Sequence, residues 1–301
     1  MKVEQIYTGC LAQGAYYIES EGEVAIVDPL REVDPYIKKA EAEGARIKYV
    51  LETHFHADFV SGHLDLSQKT GASIVFGPNA APSFPIHAAK DGEILSLGNI
   101  KIKVLHTPGH TMESTCYLLM DEEGKEKALF SGDTLFIGDV GRPDLAQKVK
   151  AELTEDILAG HLYDSLRNKI MPLADDIIVY PAHGAGSACG KKMSKETTDT
   201  LGHQKRTNYA LDPALGKERF QTAQRRGGEV GFRFGPRQEV KQLPRLLPGF
   251  LSNCWLESHA SASRYILYEL RFVCRNYAQP FLVGIKGNLL RSHNYLNTGY
   301  R

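Results

Sequence analysis

The sequence predicts a protein of mixed helix and sheet, in the α/β or α+β class. Three observations lead there. Short β-branched apolar runs recur through the first 180 residues, helical stretches stand between several of them, and loops rich in His or Asp follow four of the runs. In order, strands are expected at 3–7, 16–19 and 24–28, then a helix at 34–43 with apolar Tyr36, Ile37, Ala40 and Ala42 among Lys and Glu. Gly44 stands where a helix C-cap belongs. A strand at 47–51 delivers the first histidine loop, and a helix at 62–69 closes at Gly71. Further strands are expected at 73–76, 93–97, 100–106, 114–120 and 127–131. Thr154 is a candidate N-cap, with Glu155 and Asp156 in the first turn favouring the helix dipole. Its helix runs to about residue 169 on Ile157, Leu158, Leu162 and Leu166. A strand at 176–180 leads to the last histidine loop, and a helical stretch is expected over 192–210.

The loops carry the chemistry. They read Thr53-His54-Phe55-His56-Ala57-Asp58-Phe59, Thr107-Pro108-Gly109-His110, Ser131-Gly132-Asp133-Thr134 and Tyr180-Pro181-Ala182-His183-Gly184. Side chains at the ends of several strands can converge on one point, and His with Asp at these spacings describes a metal site. A lone histidine is usually a satisfied polar residue; four such loops at successive strand ends are not explained that way.

Composition narrows the rest. No apolar run is long enough to cross a bilayer, and the start leads straight into strand-like sequence without a signal-peptide core. Cys10, Cys116, Cys189, Cys254 and Cys274 are odd in number, widely spaced and without a C-x-x-C pair, which argues for a reducing compartment and against a disulfide framework. A cytoplasmic location is expected. The zero net charge hides an asymmetry: residues 211–301 carry 14 Lys+Arg and 6 Asp+Glu, a net of +8, against 22 and 30, a net of −8, in residues 1–210.

Together His54-x-His56-x-Asp58, His110, Asp133 and His183 resemble the metallo-β-lactamase superfamily, and Asp28 matches the acidic residue that ends its early strand. The resemblance implies an α+β, four-layer α/β/β/α sandwich over residues 1–215. Residues 53–63, 131–136, Gly141-Arg142-Pro143-Asp144 and 180–191 narrow it to bacterial persulfide dioxygenases, some of which are fused to rhodanese domains. What that branch implies is one Fe(II) held by His54, His110 and Asp133, with a small-molecule thiol persulfide and O2 as substrates and sulfite and free thiol as products. The superfamily's binuclear pattern ends in a further histidine, here Phe59, which cannot ligate. Two imidazoles and a carboxylate with open positions suit Fe(II), whereas zinc suits hydrolysis. Iron is therefore expected over zinc; the rival is a glyoxalase II-like zinc thioester hydrolase.

His56, Asp58 and His183 are expected to orient ligands or shuttle protons, the alternative being structural hydrogen bonding alone. Arg142 bonds an anionic substrate group, or pairs with Asp139 or Asp144. Gly186, Ser187 and Cys189 belong to a small flexible stretch read as part of the thiol-carrier pocket. Cys189 is either a persulfide acceptor or a packed small residue.

From residue 213 onward the sequence has no aspartate, and arginine outnumbers lysine. Residues 216–301 read as an irregular basic tail: a small basic module, a divergent extension, or disordered sequence from a reading-frame shift near Phe220. In the last case the product could be non-catalytic. The tail has no ordered aromatic platform, so a nucleic-acid partner is not favoured. A homo-oligomer is compatible with the sequence.

Overall fold

The computed structural model describes residues 1–144, 153–190 and 192–225. The tail expectations for residues 226–301 lie outside the described residues. Among the described residues, two six-stranded sheets form the middle layers. The first runs β1 (Lys2–Thr8), β2 (Gln13–Ser20), β3 (Glu23–Val27), β4 (Arg46–Leu51), β5 (Ser73–Phe76) and β6 (His87–Ala88) in spatial order. The second places β7 (Ile94–Leu97), β8 (Ile100–His106), β9 (Thr115–Met120), β10 (Glu126–Gly132), β11 (Ile178–Pro181) and β12 (Asp199–Thr200) side by side. β1 to β3 pair antiparallel and β3 to β6 parallel. In the second sheet only the β10–β11 pair is parallel.

Alternation along the strands builds the layers. In β3, Ala25 and Val27 face the second sheet, where Leu97, Ile102, Val104, Leu119 and Phe130 meet them. Val24 and Ile26 point the other way and pack under α1 (Asp34–Ala42) and α2 (His63–Thr70), with Tyr36, Ala40 and Leu66. The second sheet's outer face packs Leu118, Leu129 and Val179 against α3 (Glu155–Ser165), α4 (Leu201–Thr207) and α5 (Lys217–Arg225). The result is the α/β/β/α sandwich that the resemblance implies.

Local signals hold where they act within a few residues. Thr154 caps α3 by accepting from the Ile157 amide at 3.3 Å, and Gly71 ends α2 at φ 75°. Leu158, Leu162 and Leu166 bury, but Ile157 is 45% exposed because it lies off their i, i+4 stripe. α3 stops at Ser165, and a π turn covers Leu166–Ile170.

The helix expected over 192–210 is corrected. Residues 192–198 are irregular, and α4 has seven residues. Distant groups capture the amides a helix would need: Lys192 N donates to Asp139 Oδ2 at 2.6 Å and Ser194 N to the Ile137 carbonyl at 2.8 Å. The packed core also continues past residue 215. Phe220 in α5 is fully buried, its ring 5.6 Å from Tyr163 of α3.

Candidate metal centre

Four strand ends open on one side of the sandwich. β4 leads to His54, β8 to His110, β10 to Asp133 and β11 to His183. Main-chain bonds tie the two sheets together here, Thr115 N to Thr53 O at 2.8 Å and Gly14 N to Ala182 O at 2.8 Å, while Ala182 N to Gly132 O at 3.1 Å joins the ends of β11 and β10 within the second sheet. Close approach demands glycine at two positions. A Cβ on Gly132, at φ 53°, would sit 2.6 Å from Thr53 Cβ, and one on Gly141 would sit 1.9 Å from the Asp133 carbonyl oxygen.

His54, His110 and Asp133 are buried and offer ligand atoms within 4.8 Å of one another. Asp133 Oδ2 lies 3.3 Å from His110 Nε2 and 3.8 Å from His54 Nε2. Bonds of about 2.0–2.2 Å to a common ion place adjacent donors about 3.0–3.6 Å apart, close to these values. The ring orientations are prepared. Thr53 gives its hydroxyl proton to Asp28 Oδ2 at 2.8 Å, so its oxygen is left to accept from His54 Nδ1 at 3.0 Å. His110 Nδ1 donates to the Arg142 carbonyl at 2.9 Å. Both Nε2 lone pairs then face Asp133. Burial, with His56, His110 and His183 nearby, holds His54 well below the usual imidazole pKa, which keeps it the neutral ligand a metal requires.

A second group lies on the other side of Asp133. His183 Nε2 is 3.6 Å from Asp133 Oδ1 and 3.3 Å from Asp58 Oδ2, and Cys189 offers its sulfur within 4.8 Å of both Asp133 and His183. Both carboxylate oxygens of Asp133 and both ring nitrogens of His183 are buried without a hydrogen-bond partner. Such orphaned atoms cost about 1–3 kcal/mol each, and a cation between them would remove that cost. The residues therefore fit a metal. Burial, then Asp133 and Asp58, push the Cys189 thiol far above its ordinary range. Cys189 is also buried, as a packed small residue would be.

His56 is placed differently from its neighbour two residues earlier. Its Nε2 lies 3.1 Å from Asp28 Oδ1 and 3.3 Å from Glu52 Oε2, and Phe59 packs on its ring at 4.3 Å. The same ring still offers a nitrogen to the Asp58–His183 group. Burial lowers the His56 pKa, but Asp28 and Glu52 outweigh it and set it well above the usual imidazole value. Burial raises Glu52, while His56 and His63 outweigh it and hold that carboxyl at about 2. Asp28 moves up, because burial exceeds what His56 and the Thr53 amide supply.

Arg142 pairs with Asp144 through two bonds, Nε to Oδ1 at 2.9 Å and Nη2 to Oδ2 at 2.5 Å, and not with Asp139. Its Nη1 donates to the Ala188 carbonyl at 3.3 Å. The structure thus gives its side chain the ion pair, while its carbonyl orients His110. Gly186, at φ 111°, is exposed, and Ser187 Oγ accepts from Cys189 N at 3.1 Å. Sequence reasoning missed Glu52, whose signal was a carboxylate directly after an apolar strand, and it assigned no role to Thr53 or His63 although both stand in the 53–63 motif.

The family model described as the Metallo-beta-lactamase superfamily matches residues 8–183. Hydroxyacylglutathione hydrolase GloC of Haemophilus influenzae is 29% identical over 235 residues, covering 70% of this chain and 99% of that protein. Other curated relatives are spanned over less of their length, two of them over 57% and 53%. A metallo-beta-lactamase from Staphylococcus aureus subsp. aureus COL superposes with a TM-score of 0.67 at 36% identity, over 78% of this chain and 68% of that one. ETHE1 from Myxococcus xanthus superposes with a TM-score of 0.63 at 27% identity, over 75% and 90%. With the sandwich and the metal-binding cluster in place, the chain belongs to the metallo-beta-lactamase superfamily.

Proposed function

We propose that the chain is a persulfide dioxygenase with one Fe(II) held by His54, His110 and Asp133. The observation that supports this most is the donor set: two imidazoles and one carboxylate, with the Phe59 ring on His56 where the binuclear pattern has a further ligand. Iron in that position would supply open sites for O2 and the persulfide sulfur, and the electrons that activate O2. The overall change is R–S–SH + O2 + H2O to R–SH + H2SO3, in which the persulfide's two sulfurs together lose four electrons and O2 gains four.

The protein's own groups bind and move protons. His183 Nε2 can take the persulfide proton and pass it to Asp58, whose side chain is 31% exposed and reaches solvent. The buried His56, caged by Asp28 and Glu52, braces that side of the pocket. The exposed residues Ala185, Gly186 and Ala188 follow His183 in the chain, and we assign the thiol carrier to this stretch. The Arg142–Asp144 pair supports this loop through Ala188.

A second reading has its own support. Hydroxyacylglutathione hydrolases recur among the curated relatives, and the Asp58–His183 group could assist a zinc thioester hydrolase. One experiment separates the two. The protein is loaded anaerobically with Fe(II), and O2 uptake is followed with glutathione persulfide and coenzyme A persulfide while sulfite is assayed. Uptake matched by sulfite, and absent in Asp133→Ala, is expected. Retained zinc with cleavage of a hydroxyacylglutathione and no O2 uptake would assign the hydrolase instead.

A further inference from the structure

Asp133 is held differently from the two imidazoles that face it. His54 and His110 are each oriented through the second ring nitrogen, but both carboxylate oxygens of Asp133 are buried without a hydrogen-bond partner. Its aim therefore comes from the turn that carries it, Ser131–Thr134, where Thr134 N donates to the Ser131 carbonyl at 3.0 Å.

Behind that turn runs a chain of small polar side chains. Thr107 Oγ1 lies 2.8 Å from Thr134 Oγ1 and 3.3 Å from Cys116 Sγ, and Cys116 Sγ donates to the Ser131 carbonyl at 3.4 Å. Thr107, Cys116, Ser131 and Thr134 are all within 1% of full burial. Proton counting fixes the direction, since each hydroxyl and thiol has one proton to give. The thiol gives its proton to Ser131, so Cys116 accepts from Thr107, and Thr107 accepts from Thr134. Burial pushes the Cys116 thiol up to about 11, so it keeps that proton. The chain leaves from Thr134 and returns to Ser131, spanning Asp133 on both sides. Its middle member, Thr107, stands at the base of the loop that carries His110, which Thr107 N closes by donating to the Ser114 carbonyl at 2.8 Å.

We propose that Thr107 and Thr134 are positioning residues of the metal centre: their hydroxyl bond, anchored on Cys116, locks the Asp133 turn to the His110 loop and sets the 3.3 Å between Asp133 Oδ2 and His110 Nε2. They act through those two groups and not as ligands. The inference rests on the metal centre and not on the dioxygenase reading, because iron and zinc alike need donors held at that spacing. A merely structural bond would behave otherwise. Removing one hydroxyl leaves its partner buried and unpaired, which destabilises the fold, whereas removing both together largely restores it. Metal affinity follows the lost bond instead, and is not restored.

The test uses the full-length, metal-free chain with Thr107→Val and Thr134→Val, singly and together. Cobalt(II) affinity is measured by competition with a chelator, the bound ion by its visible absorption, and the fold by urea midpoints. Each single variant is expected to bind cobalt about tenfold more weakly, and the double variant no more weakly than either, since one bond is lost in all three. The visible band shifts in all three. The double variant's urea midpoint lies above those of the singles. Thr107→Ser and Thr134→Ser keep the hydroxyl and are expected to keep the affinity. Unchanged affinity and spectrum in the valine variants overturn the proposal. So do losses that multiply in the double variant, recovery of affinity there together with stability, or serine variants as weak as the valine ones. Should a single valine variant fail to fold, the double and serine variants decide. O2 uptake absent from the unmodified protein, with these affinities as expected, would remove the dioxygenase reading and leave the positioning role standing.

Discussion

His54 and His183 approach the same aspartate from opposite sides, and they are prepared for it in different ways. The Nδ1 atom of His54 is held by Thr53, itself anchored on Asp28, and that of His110 by a main-chain carbonyl. Neither ring nitrogen of His183 has such a partner. One half of the pocket is thus oriented by hydrogen bonds within the fold, while His183 faces the carboxylates of Asp58 and Asp133. A fold can therefore fix the ring orientation of some ligands through their second nitrogen and leave a neighbouring buried imidazole without that constraint.

Asp133→Ala should have the largest effect, because it removes the group both halves share. Metal analysis is expected to show the bound ion gone, an affinity loss beyond about 100-fold. Retention of the ion would mean that His54 and His110 hold it without the shared carboxylate. Thr53→Val comes next. It should weaken the metal held by His54, His110 and Asp133 by about 10–100-fold in competition with a chelator, because His54 Nδ1 loses its partner. An unchanged affinity would show that His54 is oriented without Thr53. Phe59→His returns a nitrogen to the second side, and should raise the affinity for a second equivalent of metal by about tenfold in competition with a chelator. An unchanged affinity would place residue 59 outside that side's reach.

The smallest effect is the pH dependence of the metal-free chain. His54 titrates well below the imidazole value of the unfolded chain, so its contribution is complete above about 6.5 and lost as pH falls. The Glu52 contribution is complete above the ordinary carboxylate value of 4.5 and lost as pH falls through about 2. His56, shifted up, contributes below about 6.5 and loses that contribution only as pH rises through its raised value. Urea midpoints should therefore decline from pH 6.5 toward acid, and the limb below 4.5 should flatten in Glu52→Gln. An acid limb identical in that variant would remove Glu52 from the account.

Much of the site was legible because each ligand follows its strand within a few residues. Local chemistry also sufficed for the α3 cap at Thr154 and the α2 end at Gly71. The irregular 192–198 segment was not legible, since the Asp139 carboxylate and Ile137 carbonyl that hold it lie more than 50 residues away in sequence. Arg142 had two acidic candidates in reach, and only the folded loop selected Asp144.

The order of strands and ligand loops, and the loss of a donor at Phe59, are properties of the sequence alone, because they depend on residue type and near-neighbour spacing. The tertiary structure decided which nitrogen of each histidine faces Asp133, that Glu52 joins Asp28 around His56, and that the Cys189 sulfur comes beside His183. Those outcomes depend on distances across two sheets that no local pattern encodes, and on burial, which makes each carboxylate, imidazole and thiol answer to the charges it is enclosed with.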